Sequence, residues 1–157
     1  MMFTVRWWLV GLVPWSAMAA PTTVSGPLPA PLELEDTLGR RHVLNVELAL
    51  DPERRQRGLM YRRSMAAGHG MLFVFPVVKP HKMWMRNTLM ALDMLFLDSA
   101  GAIVAIAPRC RPLSQALIGP DEPVRAVLEL GAGEAARLGL VPGARLVRPS
   151  LDGLPTR

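Results

Sequence analysis

From Leu32 onward, apolar and polar residues alternate with the period of a half-buried strand. Leu32 and Leu34 alternate with Glu33 and Glu35. Beyond Asp36-Thr37-Leu38-Gly39, Leu44, Val46, Leu48 and Leu50 fall at every second position. Asp-x-x-Gly suits a type I turn closed by a residue of positive φ, so the two runs predict a hairpin. The same formula returns at Asp98-Ser99-Ala100-Gly101, between Met94–Leu97 and Ile103–Ala107. Asp51-Pro52-Glu53 predicts a helix start, with Asp as N-cap, Pro in the first turn and Glu at the positive end of the dipole. That helix should run to about Arg57.

Gly68-His69-Gly70 reads as a loop, and Met71 to Phe75 as a fully buried strand. Pro76 and Pro80 mark an exposed connection, and Met83 to Asn87 opens another strand. After the Pro-rich stretch Pro108–Pro123, Val124, Ala126, Leu128 and Leu130 alternate again. Gly131 to Gly139 accommodates one short helix ending at Gly139, and Ala144 to Arg148 a last strand. The amides at Gly131 to Gly133 could face an anion, but a strand-to-helix turn explains them. Many short strands, two short helices and no βαβ rhythm define an α+β domain. Its sheet should be mostly antiparallel and curl into a small barrel-like form.

The first 19 residues stand apart. Arg6, the apolar run Trp7–Trp15 and Ala17-Met18-Ala19 have the order of a signal peptide cleaved after Ala19. A spanning helix needs about 20 apolar residues, whereas this run has nine and contains Pro14. Export to the periplasm or the medium follows, with no stable membrane span after cleavage. Residues 20–31 form a Pro-rich linker, 32–148 a single globular domain and 149–157 a loose tail. Removing Arg6 with the leader lowers the net charge from +5 to +4. Arg54, Arg55, Arg57, Arg62 and Arg63 could meet an anionic surface, and export argues against nucleic acid. Cys110 is the one cysteine, so no intramolecular disulfide forms. Arg109 and Arg111 would favour its thiolate if exposed, but a buried thiol at a strand end is the simpler reading.

Once the leader is set aside, all seven remaining Met (60, 65, 71, 83, 85, 90 and 94) lie within residues 60–94. All five aromatics, Tyr61, Phe73, Phe75, Trp84 and Phe96, lie between residues 61 and 96. Most of these are core fillers by type. The polar residues threaded among them carry the chemical interest. Asn87 and Thr88 interrupt a strand-like run, and Asp93 sits between Leu92 and Met94, where a buried carboxylate needs partners. Arg57, Arg62, Asn87 and Thr88 are the candidates.

Arg57-Gly58-Leu59-Met60-Tyr61-Arg62, Gly70–Phe75, Trp84-Met85-Arg86-Asn87-Thr88-Leu89, Leu92-Asp93 and Val127-Leu128-Glu129-Leu130 with Gly133 resemble the family known as domain of unknown function 192. The resemblance runs in order from about Leu32 to Arg148. It implies a small β-barrel-like α+β domain, often exported, and no reaction. Gly143-Ala144 departs from the family's usual Gly-Asp, and Met90-Ala91 from its Ile-Pro.

These residues suggest an envelope binding or accessory module taking a small anionic molecule or an envelope protein. Arg57, Arg62, Asn87, Thr88 and Asp93 would line a cleft walled by Met60, Trp84 and Met85. No catalytic residue, cofactor or metal is assigned on this reading. Alternatively, Asp93 simply closes an internal network. A further alternative is Cu(I) binding by His81, Met83 and Met85, three soft or borderline ligands at period two. An enzyme using Asp93 and Arg57 as an acid–base pair is the remaining possibility, but no G-x-S-x-G, H-E-x-x-H, C-x-x-C or phosphate-cradling loop supports it.

Overall fold

The structure, a computed structural model, describes residues 30–156; the signal-peptide assignment and residues 20–29 of the linker lie outside the described residues. Seven strands are β1 Ala30–Glu35, β2 Arg41–Ala49, β3 His69–Lys79, β4 Leu92–Leu97, β5 Ile103–Cys110, β6 Val124–Gly131 and β7 Arg145–Arg148. Two short helices, α1 Pro52–Arg57 and α2 Glu134–Arg137, punctuate them. The strands form one sheet in the order β5-β4-β6-β3-β2-β1-β7. Its edges approach each other through Ile103 N to Ala144 O, 2.8 Å, and Leu146 N to Gly101 O, 2.8 Å. The expected small, mostly antiparallel, barrel-like α+β domain is the fold. Among the described strands only the β2–β3 pair is parallel, and residues 50–68, including α1, make the crossover it requires.

Both turn formulas act as the pattern predicts. Asp36 Oδ1 accepts from the amides of Leu38 and Arg40, each at 2.9 Å, and Gly39 has φ 78°. Asp98 Oδ1 accepts from Ala102 N at 2.9 Å, and Gly101 has φ 83°. Asp51 caps α1 by accepting from Arg54 N at 2.8 Å.

Several expectations need correction. β3 continues through Pro76 to Lys79, so the predicted connection there is the exposed end of a strand. Met83 to Asn87 is no strand; Met83 makes a lone bridge to Ile118, and Asn87 turns into left-handed backbone at φ 57°. A residue in that conformation cannot extend a ladder. Ala30 and Pro31, placed in the linker, pair with Val46 and Asn45. Leu151, placed in the loose tail, is buried in a short 3-10 turn.

The sheet is covered on both faces. Leu32, Leu34, Leu44, Val46, Leu72, Val74, Leu95, Leu97, Leu128 and Leu130 fill the inside of the curl, the aliphatic residues the alternation picked out. The outer face carries Met71, Phe73, Met94, Phe96 and Val127, with Leu59 and Met85 packed onto them from the loops. The Met- and Phe-rich stretch is thus largely a second core. Gly70 lets β3 approach β6 closely: a Cβ there would lie 2.5 Å from the Glu129 carbonyl oxygen.

Candidate functional site

The eight residues expected to line one cleft are divided among three places. Asp93, on the inner side of β4, is 1% exposed. Its partners are not Arg57, Arg62, Asn87 or Thr88 but three backbone amides. Oδ1 accepts from Arg109 N at 2.8 Å, and Oδ2 from Gly133 N at 2.9 Å and Ala135 N at 3.0 Å. The anion facing the start of α2 is therefore the protein's own carboxylate. A cavity of about 360 Å³ lies beside it, lined largely by Ile106, Pro108, Arg109, Ala135, Leu140 and Pro142. Asp93 reaches its floor with both oxygens already engaged.

Arg62 lies over the outer face, where its guanidinium forks onto Glu47, with one bond at 2.7 Å. That hydrogen bond raises the Arg62 pKa, and partial burial opposes it. Arg57 stands exposed at the end of α1, with no ion pair among the described residues.

The remaining candidates belong to the loops covering the outer face. Tyr61 and Asn87 both adopt left-handed backbone, φ 65° and 57°. They are clasped by Tyr61 N to Asn87 O at 2.8 Å and by Asn87 Nδ2 to the Tyr61 hydroxyl at 3.0 Å. Asn87 Nδ2 also stands 3.8 Å from the Met60 sulfur. Thr88 is buried, its Oγ1 donating to Arg86 O at 3.4 Å, and its carbonyl accepts from Leu113 N at 3.1 Å. Met85 is fully buried, whereas Trp84 is half exposed with the Arg86 guanidinium 5.8 Å above its ring. The structure thus brings Met60 and Asn87 together, joins Tyr61 and Arg86 to the candidates, and leaves Asp93 and Arg62 elsewhere.

The copper candidates are no better gathered. The His81 ring stacks on Phe75 with centroids 3.8 Å apart, and its Nε2 lies 2.9 Å from Val77 O. Met85 is sealed into the outer core, and Met83 is half-buried. Among the described residues no three His, Cys, Asp or Glu side chains cluster as metal ligands. Cys110 is buried at the end of β5, and burial, then the Glu129 and Asp93 carboxylates, push its thiol pKa up, away from thiolate character.

Glu129 is the residue that sequence reasoning passed over. It lies between Met71 and Met94 in the ladder, on the outer face, and is 4% exposed. Burial pushes its pKa up to about 8. The available signal was a carboxylate within the apolar run Val127–Leu130.

A seven-stranded, nearly closed sheet with an aliphatic inner core, a Met-rich outer core and α2 tied to a strand carboxylate defines a small barrel-like domain class. Within that class, the chain belongs to the family described as uncharacterised ACR, domain of unknown function 192, matched over residues 34–148. Two solved structures are similar. One, from Sinorhizobium meliloti and provisionally described as a transcription regulator, is 51% identical with a TM-score of 0.73, and the match covers 76% of this chain and 94% of that one. The other, a protein of unknown function from Novosphingobium aromaticivorans, is 34% identical with a TM-score of 0.75, and the match covers 84% of this chain and 94% of that one. No curated protein matches.

Proposed function

We propose that this protein is a binding module of the cell envelope that takes a small anionic ligand on its outer loop layer. The Tyr61–Asn87 clasp carries the reading. Two non-glycine residues in left-handed backbone cost energy, and such strain is characteristic of ligand clamps. The clasp fixes Met60 and the exposed Tyr61 beside the turn that carries Trp84 and Arg86. Arg57 and Arg86 supply guanidinium groups with no carboxylate partner among the described residues. A planar guanidinium suits carboxylate or phosphate oxygens. Export rests on the Arg6, Trp7–Trp15 and Ala17-Met18-Ala19 pattern. One relative is provisionally described as a transcription regulator, but the described helices do not favour that role here. Helices of six and four residues are too short to lie along a major groove.

Titration of the full chain with citrate and with inorganic phosphate, followed by arginine side-chain NMR, tests the proposal. Saturable shifts at Arg57 and Arg86, lost in a folded Arg86→Ala variant, are expected. Unchanged spectra at millimolar anion, or identical titrations of wild type and variant, refute it. Fractionation of cells expressing the full chain tests the location, and a cytoplasmic, uncleaved product refutes export.

A further inference from the structure

A row of side chains crosses the outer face: Glu47 on β2, Met71 on β3, Glu129 on β6 and Met94 on β4, each paired with the next. Arg62 neutralises Glu47. Two strands further on, about 10 Å away, Glu129 has no hydrogen-bond or ion-pair partner among the described residues. Among the described residues every polar side-chain atom that is sealed from solvent has a partner, so the Glu129 oxygens retain a little contact with open space. Gly131, one same-face step along β6 and about 7 Å away, would carry a Cβ with nothing within 4 Å. Leu92 pairs with Gly131 on one side and Cys110 on the other. Extending the β3–β6 register by one residue sets His69 opposite Gly131. His69 and Gly131 are partly exposed while Glu129 is buried, so this face passes from solvent at the strand ends to a nearly sealed carboxyl.

Nothing in the fold requires an acid there. Asp93, on the opposite face, has three amides to hold, whereas Glu129 holds nothing and a leucine would pack better. We infer that the open space over Gly131 forms a hollow reaching Glu129 and is a second binding site, in which the Glu129 carboxyl donates a hydrogen bond to the acceptor oxygen of a small, largely apolar, uncharged carbonyl compound. Met71, Met94 and Leu92 supply apolar, polarizable walls. The charged and titratable groups facing the site do not favour an ion. Glu47 and Arg62 cancel each other, the Cys110 thiol is pushed up and stays protonated, and His69 stands at the rim. The elevated Glu129 pKa makes it an acid near neutral pH, the state in which a carboxyl donates.

The full chain, with its methionine methyl groups isotopically labelled, is titrated with cyclohexanone, cyclohexylamine and cyclohexanecarboxylate. Cyclohexanone should shift the Met71 and Met94 methyl resonances near neutral pH, and its affinity should fall about tenfold per pH unit once Glu129 ionises. Glu129→Gln, whose amide still donates, should retain binding, and Glu129→Met should lose it. Gly131→Val should fill the hollow, with Gly131→Ala as the milder variant if valine does not fold. Preference for the amine with proton release, preference for the carboxylate, equal binding to Glu129→Met, or no shift with any probe each overturns the inference. Arg86→Ala should leave cyclohexanone binding unchanged, so failure of the anion site and failure of this one are distinguishable.

Discussion

Glu129 should make the stability of this protein fall as pH rises, over a range where most carboxylates no longer titrate. In the unfolded chain its pKa is near 4.5, and burial between Met71 and Met94 lifts it to about 8. Between those values the folded state holds a proton that the unfolded state has released. The stability contribution is therefore intact below the lower value and declines as pH rises toward the upper one. At about 1.4 kcal/mol per unit, the full window amounts to roughly 5 kcal/mol. Relaxation and water entry reduce that figure. It remains a large fraction of the roughly 5–15 kcal/mol typical of a domain. Glu129→Gln keeps the size and polarity of the side chain and cannot ionise. Urea unfolding of wild type and variant, compared by midpoint at constant slope from mildly acid to mildly alkaline pH, isolates the effect, because both proteins share every other titrating group. The two should match in acid, and the variant should gain steadily toward alkaline pH before levelling. Parallel curves would mean that the carboxyl is solvated or partnered. A variant that loses stability toward alkaline pH would mean that Glu129 is ionised and paired.

Three further outcomes follow from named contacts. Asp93→Ala leaves the amides of Arg109, Gly133 and Ala135 without their acceptor and should cost about 3–5 kcal/mol in urea unfolding; a loss below about 1 kcal/mol would show that the carboxylate is not an anchor. Gly70→Ala drives a methyl against the Glu129 carbonyl oxygen and the Leu130 side chain, so β3 and β6 must part, with a loss of about 1–3 kcal/mol by thermal melt; an unchanged melting temperature would contradict that close approach. Asn87→Val places a β-branched residue at φ 57° and should cost about 1–3 kcal/mol, while Asn87→Gly, which loses the bond to Tyr61 but accepts the backbone, should cost less. Thermal melts showing the reverse order would refute the strain argument.

Much of the framework was legible because its determinants are local. Both Asp-x-x-Gly turns and the Asp51 cap depend on hydrogen bonds spanning two to four residues, so the residues that decide them are adjacent in the chain. The alternation of Ala126, Leu128 and Leu130 likewise marked the inner face of β6, although Val124, in the same pattern, packs with the outer core. It could not say what happens to the other face. Val127 and Glu129 occupy positions that would be solvated in a single-faced sheet, and only the loops around Leu59 and Met85 convert that face into a second core. Those loops are distant in sequence and owe their course to Tyr61, Asn87 and Leu113, all with positive φ. Asp93 shows the same division. Its position between Leu92 and Met94 announced a buried carboxylate in need of partners, since charge without a partner is costly in an apolar setting. Its partners are backbone amides from β5 and α2, and every residue has such a group to offer, so the sequence alone left the choice open. The sequence by itself determined the turns, the helix cap, the apolar faces and the family. Tertiary structure decided which polar groups were consumed in holding the fold and which, like Glu129, were left over, because pairing between distant groups depends on where the chain returns.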